Sequence, residues 1–295
     1  MGIESCHPLV AASYFTVVII LTAILDHPVF LAISWFFALM YLVKLEGAHA
    51  FRFIGSLVII AVVFAAVFTA NVHFGITVLT HTHLGNPVTL ESLAYGVLIG
   101  FKIGAVFMWL RCLVDVFTAD KVVYLFGRVS PRLALFSAVA LRSAPLVGAQ
   151  MTRLSNAQRS IGLGAGQGSV SRRLRNWVRR VSALITWAIE RMAQMSDSMR
   201  SRGSSLRGLT AFALVRFDAR DRKVAIGLAF LFSIVLFGIS LDQARMLFDP
   251  EMIANVATPL SFLFFLSYAM LCATPLVILL VSESRFARDR SKVKP

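Results

Sequence analysis

The chain has 295 residues, 58% of them apolar and only 15% charged, with a mean hydropathy of +0.77, whereas a soluble domain is about 45–50% apolar and about 25% charged. This excludes an ordinary globular protein, and the apolar content equally excludes a disordered chain, which leaves a polytopic helical membrane protein. The formal net charge of +14 must then lie outside the lipid.

The start, Met1-Gly-Ile-Glu-Ser-Cys6, has no basic n-region, so the first apolar run reads as a retained helix rather than a cleaved signal peptide. Apolar runs follow at residues 9–25, 28–43, 53–70, 93–117, 224–241 and 260–281. Each is near the ~20 residues that a spanning helix needs, with a range of about 17–25. The first two are joined only by Asp26-His27-Pro28, the signature of a tight helical hairpin. Cys6, Cys112 and Cys272 are too far apart for a CxxC pair and form no disulfide framework.

Charge orients these six spans. Residues 118–222 hold 18 of the 29 Lys and Arg against five acids, a net of +13, and five more bases lie between Arg285 and Lys294. Lys44 and Arg52 flank the connection between the second and third runs, while the loops at 26–28, 71–92 and 242–259 together hold only Arg245. Short cytoplasmic loops favour Lys and Arg. Both termini, the 44–52 loop and the basic segment are therefore expected inside.

The basic segment shows helical periodicity. Leu184, Ala188, Met192, Met195 and Met199 recur at spacings of four, four, three and four, with Ser182, Thr186, Glu190 and Asp197 opposite. This predicts an amphipathic helix over 181–202, ending at Gly203, a C-cap-type residue. A second helix is expected over 134–151, apolar but interrupted by Arg142 and Pro145, and the glycine-rich stretch 162–168 reads as a flexible break. The expected fold is thus an all-α polytopic membrane protein of about six transmembrane helices with an inserted helical cytoplasmic coupling domain. The parts are residues 1–117 (about four spans), 118–222 (coupling helices), 223–284 (two spans) and 285–295 (a basic tail).

Several features invite chemistry, and each has a blander explanation. The glycine run lacks the G-x-x-x-x-G-K-[ST] of a Walker A loop, so it reads as a hinge and the chain is not its own ATPase. His73, His81 and His83 could hold a transition metal, but a solvated loop is the simpler reading. Lys102, Arg111 and Asp115 lie in an apolar run, where charge is costly; Arg111 and Asp115, four apart, can pair on one helix face, and Lys102 can serve packing. The arginines of the basic segment carry no aromatic stacking pattern or known nucleic-acid motif. Without a Ser-His-Asp arrangement, HExxH or nucleophile elbow, a membrane enzyme has little support, and no cofactor is called for.

Other residues resemble a known family. Pro87-Val-Thr-Leu-Glu-Ser-Leu-Ala-Tyr-Gly96, Thr118-Ala-Asp-Lys121, Leu125-Phe-Gly-Arg128 with Pro131, and Leu141-Arg142-Ser-Ala-Pro145 are similar to the transmembrane T component of energy-coupling factor (ECF) transporters, the EcfT/CbiQ family. His7-Pro8 resembles the family's N-terminal His-Pro, without the lysine often found just after it. The family's most diagnostic feature is a pair of short arginine motifs ending two coupling helices. The second is present as Ser201-Arg202-Gly203. The first falls in Ala157-Gln-Arg159-Ser-Ile161-Gly162, where Ile161 stands in the usual place of arginine and Arg159 gives a looser Gln-Arg-Ser match. Residues two apart on a helix point about 200° apart, so either the helix has unwound there or this contact differs.

The resemblance implies a membrane subunit that does no chemistry. Two cytoplasmic ECF ATPase subunits would each hold one arginine-tipped helix, with Arg202, Ser201, Gly203 and Arg159 as the coupling residues. A membrane S component would bind a vitamin or metal ion and be reoriented in the cell membrane by ATP-driven motion. The alternative is a conventional ABC permease that forms the solute path itself, which should carry a cytoplasmic Glu-Ala-Ala…Gly loop not visible here.

Overall fold

The computed structural model describes residues 3, 6–72, 75–81, 87–164, 169–203, 217–241, 246–247, 253–254 and 259–293. Among them nine helices carry almost all of the chain: α1 (Pro8–Ile24), α2 (Pro28–Glu46), α3 (His49–Asn71), α4 (Leu90–Val116), α5 (Ala119–Val129), α6 (Pro131–Ser160), α7 (Val170–Ser201), α8 (Ala219–Ser240) and α9 (Pro259–Val293). Two short antiparallel pairs complete it: β1 (Val78–His81) with β2 (Pro87–Thr89), and β3 (Met246–Leu247) with β4 (Ile253–Ala254). The chain divides into two compact units, Met1–Thr118 with Val215–Pro295, and Ala119–Leu214. The protein is an all-α polytopic membrane protein.

Each apolar run of the first unit forms a helix, and the boundaries follow local chemistry. Proline at the first position opens α1 and α2, where its missing N–H is no loss, and Nδ1 of His7 and of His27 accepts the backbone N–H two residues on, at 3.2 Å in both cases. Burial pulls the His27 imidazole pKa down, which suits a ring that accepts rather than donates at that nitrogen. α8 begins at Ala219, ahead of its apolar run, because the Asp218 N–H donates to Asp221 Oδ2 at 3.4 Å and closes a charged first turn.

Among the described residues the count of six long apolar helices agrees with the sequence reading, but the membership differs by one. α2, α3, α4, α8 and α9 qualify by length and composition. α1, with 17 residues, is ~25 Å long and falls short of the ~30 Å hydrocarbon core. The sixth is α6, which belongs to the second unit. The sequence predicts a helix over 134–151 whose apolar character Arg142 and Pro145 interrupt; the structure has one continuous helix of 30 residues, Pro131–Ser160, with Pro145 inside it. Proline removes one hydrogen bond, and the helix spans the gap through its neighbours.

Within the first unit α4 packs against α1, α2 and α3, and α9 against α2 and α8. Small residues let α3 and α4 close up: a Cβ on Gly100 would lie 2.5 Å from the Ala61 carbonyl oxygen, and one on Gly96 3.1 Å from that of Ala65. Gly104, one turn further, receives the Trp35 ring. Small residues every fourth position are what membrane helices use to bring backbones together.

The interior is aromatic, with Tyr14, Phe15, Trp109 and Tyr268 fully buried, and four of its polar side chains bond in a chain. Trp109 Nε1 donates to Ser34 Oγ at 2.9 Å, Thr22 Oγ1 lies 3.2 Å from Ser34 Oγ, and Tyr268 OH lies 2.9 Å from Thr22 Oγ1. Four helices are thereby joined at one level.

Candidate coupling surface

The charged residues of α4 serve the first unit's own packing. Lys102 Nζ pairs with the Asp26 carboxylate and donates to the Ala23 carbonyl at 3.3 Å, so it ties α4 to the α1–α2 turn. Arg111 Nε donates to Glu46 Oε1 at 2.5 Å, and its Nη2 lies 3.8 Å from Asp115. The Asp26 backbone also accepts from the Met246 N–H at 3.2 Å. His81 sits in β1, while His73 and His83 lie outside the described residues. Among the described residues no three His, Cys, Asp or Glu side chains gather as a metal site.

The second unit is different. α5 packs on α6, and α6 on α7. α7 begins at Val170, well before the expected 181, and has three distinct faces. Asn176 and Arg180 are buried, and Arg180 Nε donates to Gln158 Oε1 at 2.9 Å near the end of α6. A second face carries Arg172, Arg175, Arg179, Glu190, Asp197 and Arg200 in solvent. The third is apolar and open: Val170, Leu174, Trp177, Val178, Ile185, Ile189 and Met192 are each more than half exposed. At ~100° per residue these fall within about a third of the circumference. Of the expected apolar face, Leu184, Ala188, Met195 and Met199 are partly covered and Met192 is open. The exposed stripe lies beside that line, and its signal was present in the spacing 170, 174, 177, 181, 185, 189.

The ends of α6 and α7 share one backbone motif. α6 runs helical through Ser160 with Ile161 as its C-cap; the Gly162 N–H then donates to the Arg159 carbonyl at 3.2 Å and the Leu163 N–H to the Gln158 carbonyl at 2.9 Å. α7 runs through Ser201 with Arg202 as its C-cap, and the Gly203 N–H donates to the Arg200 carbonyl at 3.0 Å. Gly162 and Gly203 both take left-handed φ, 76° and 82°, which a Cβ disfavours. Ser160 and Ser201 each donate to the carbonyl three residues back, at 2.8 and 2.9 Å.

This geometry places the expected coupling residues. Arg202 and Ser201 are exposed on the tip of α7, with Gly203 as its turn, and Arg159 is exposed near the tip of α6. Because α6 has not unwound at Arg159, that residue corresponds to Arg200, and Ile161 to Arg202. Residues 165–168 of the glycine run lie outside the described residues.

The sequence profile of the CbiQ family, described as cobalt transport protein, matches residues 6–211. The chain belongs to this family. The match takes in α1 to α7 and both tips and ends ahead of α8. Among curated proteins none matches the chain. As a CbiQ family member it is a multi-pass membrane component of ECF-type transport, which works with other subunits.

Proposed function

We propose that the chain is the coupling subunit of an ECF-type importer in the cell membrane and that it neither binds nor hydrolyses ATP. Two cytoplasmic ATPase subunits hold the tips of α6 and α7, and motion of those helices reorients a separate membrane S component that carries a vitamin or metal ion. Residues 1–117 and 223–284 lie in the bilayer, residues 118–222 form the cytoplasmic coupling domain, and the tail 285–295 lies on the same side.

The carrying observation is the pair of like-capped helix ends with exposed arginines. A cation at a helix C-terminus complements the partial negative charge there, and a guanidinium can grip a partner's carboxylate with two parallel bonds. Glycine in the left-handed conformation ends α7 and leaves Arg202 exposed at its tip. The exposed stripe of α7 supports the second partnership, since a contiguous apolar patch of this kind marks an interaction surface, and an S component is itself an apolar, membrane-embedded body. The +13 of the basic segment agrees with an inside location.

The test is co-purification of tagged chain with the ATPases. Losing one partner of a buried, hydrogen-bonded charge pair costs about 2–5 kcal/mol of binding. Arg202→Ala is expected to weaken assembly accordingly and abolish uptake without loss of membrane insertion. Arg207→Ala, outside the motif, is expected to change little, and Arg159→Ala to fall between. Equal behaviour of Arg202→Ala and Arg207→Ala would make Arg202 one more solvated charge and defeat the proposal.

A further inference from the structure

The second unit buries a positive charge with no counter-charge beside it among the described residues. Asn176 and Arg180, 3% and 6% exposed, lie one turn apart on the face of α7 that meets the end of α6. Arg180 Nε donates to Gln158 Oε1 at 2.9 Å, but Arg180 Nη2 and Asn176 Nδ2 are enclosed and have no hydrogen-bond partner. The unit Ala119–Leu214 holds fifteen Lys and Arg against three acids, Asp120, Glu190 and Asp197. All three acids are exposed, and Glu190 and Asp197 stand about 15 and 25 Å further along α7 than Arg180. Residues 165–168 and 204–214 of the same unit contain no Asp or Glu. A buried charge is costly unless it is paired, and a guanidinium does not escape that cost by giving up its proton.

We propose that Arg180 and Asn176 hold a phosphate group, free or on a lipid headgroup, where α7 meets the end of α6. Both orphaned atoms are donors, so the missing partner accepts at two places, and the unanswered guanidinium requires it to be an anion. Nε is already committed to Gln158, which breaks the side-on fork that grips a planar carboxylate. The remaining donors belong to two side chains, and a tetrahedral group, with oxygens in more than one plane, meets both. The excess of basic residues draws anions to this unit. Once bound, the group neutralises Arg180 and leaves its bond to Gln158 in place, so that α7 is fastened to α6. The site uses neither the helix tips nor the open stripe of α7, and it stands whether or not the proposed function does.

The experiment uses the full chain, delipidated in dodecyl maltoside, which carries no phosphate. Thermal unfolding is followed as inorganic phosphate or phosphatidylglycerol is added, with chloride at equal ionic strength as the reference. The expected result is a rise in the midpoint beyond that with chloride. A rise with inorganic phosphate identifies a free ligand, and a rise with phosphatidylglycerol alone identifies a headgroup; either supports the site. Arg180→Gln should raise the concentration needed for half the effect about tenfold or more. Arg179→Gln, which removes the same charge from an exposed neighbour, should leave it unchanged. Asn176→Asp supplies the missing carboxylate one turn from Arg180, so it should unfold about 2–4 °C above the parent with nothing added and lose the response to phosphate. If chloride does as well as phosphate, if neither phosphate source stabilises the parent, or if Arg180→Gln and Arg179→Gln respond alike, the inference falls. Should Arg180→Gln fail to accumulate, Asn176→Asp decides, and a response equal to the parent's overturns the proposal.

Discussion

The two units of this chain treat their polar side chains in different ways. In the first, Thr22, Ser34, Trp109 and Tyr268 bond to one another, Lys102 meets Asp26, and Arg111 meets Glu46 and Asp115. Lipid offers no hydrogen bonds, so polar groups at membrane depth must find partners in their own protein. In the second unit, apolar side chains stand open along α7 and arginines project from helix ends. The charges of α4 therefore explain how the first unit holds itself together, and the surface of α6 and α7 is the one on which the proposed partners would dock. A substitution that damages folding in one unit should have a counterpart in the other that damages only association.

The largest expected effect is on the aromatic centre. Trp109 is 0% exposed and hydrogen-bonded to Ser34, so Trp109→Ala leaves a cavity and takes one of the two partners of the Ser34 hydroxyl, which keeps Thr22. Burial losses of this size run at about 3–5 kcal/mol. Thermal unfolding in detergent should show the loss, and a midpoint within a degree or two of the parent would contradict the closed character of this unit.

Next comes the Lys102–Asp26 pair. Removing one partner of a fully buried pair costs about 3–5 kcal/mol; Asp26 keeps a side-chain exposure of 32%, so Lys102→Met should cost less, about 2 kcal/mol. The double variant Lys102→Met with Asp26→Asn should recover part of it. If the double variant is no better than the single one, the pairing is not what Lys102 contributes.

A smaller effect is expected at the α3–α4 crossing. Gly100→Ala would place a Cβ 2.5 Å from the Ala61 carbonyl oxygen, and forcing packed backbones apart costs about 1–3 kcal/mol. Gly148→Ala, on α6, meets nothing within 4 Å and should stabilise the helix by about 0.5–1 kcal/mol. Opposite signs for these two in the same unfolding assay would support the contrast between a tight crossing and an open helix.

What the sequence disclosed follows from what each feature depends on. The apolar runs, the Met-containing period of α7 and the Ser-Arg-Gly end are local patterns, and each lies in a helix or at a helix end, although α7 starts eleven residues before the period that predicts it. The partners of Lys102 and Arg180 depend on which helices become neighbours, across 76 and 22 residues, and no period in the sequence encodes that. The expected helix 134–151 stops short of α6 at both ends, because the residues beyond Met151 are polar and carry no apolar period, while the structure continues the helix from Pro131 to Ser160. The match of Ile161 to Arg202 is legible in the motif, where Ile161 stands in the usual place of arginine; the backbone adds that α6 stays helical through Ser160, so Arg159 does not take that place.

The comparison is sharpest at a second tryptophan. Trp177 on α7 is 53% exposed and stands in the open stripe with Leu174, Val178 and Ile185, whereas Trp109 is closed in on all sides. Replacing an exposed side chain away from special features changes stability by about 0.5 kcal/mol or less, so Trp177→Ala should unfold in detergent close to the parent. Large aromatics at the centre of an interface, by contrast, often cost 2 kcal/mol or more in binding, about thirtyfold. If the stripe receives the S component, Trp177→Ala should lower recovery of that small membrane protein with the tagged chain while leaving the ATPases attached, because the tips of α6 and α7 are untouched. Loss of stability comparable to Trp109→Ala would mean that Trp177 belongs to the chain's own core. Unchanged recovery of every partner, with stability also unchanged, would mean that the stripe is bare surface, and the division between a self-contained unit and a partner-seeking one would have to be redrawn at this helix.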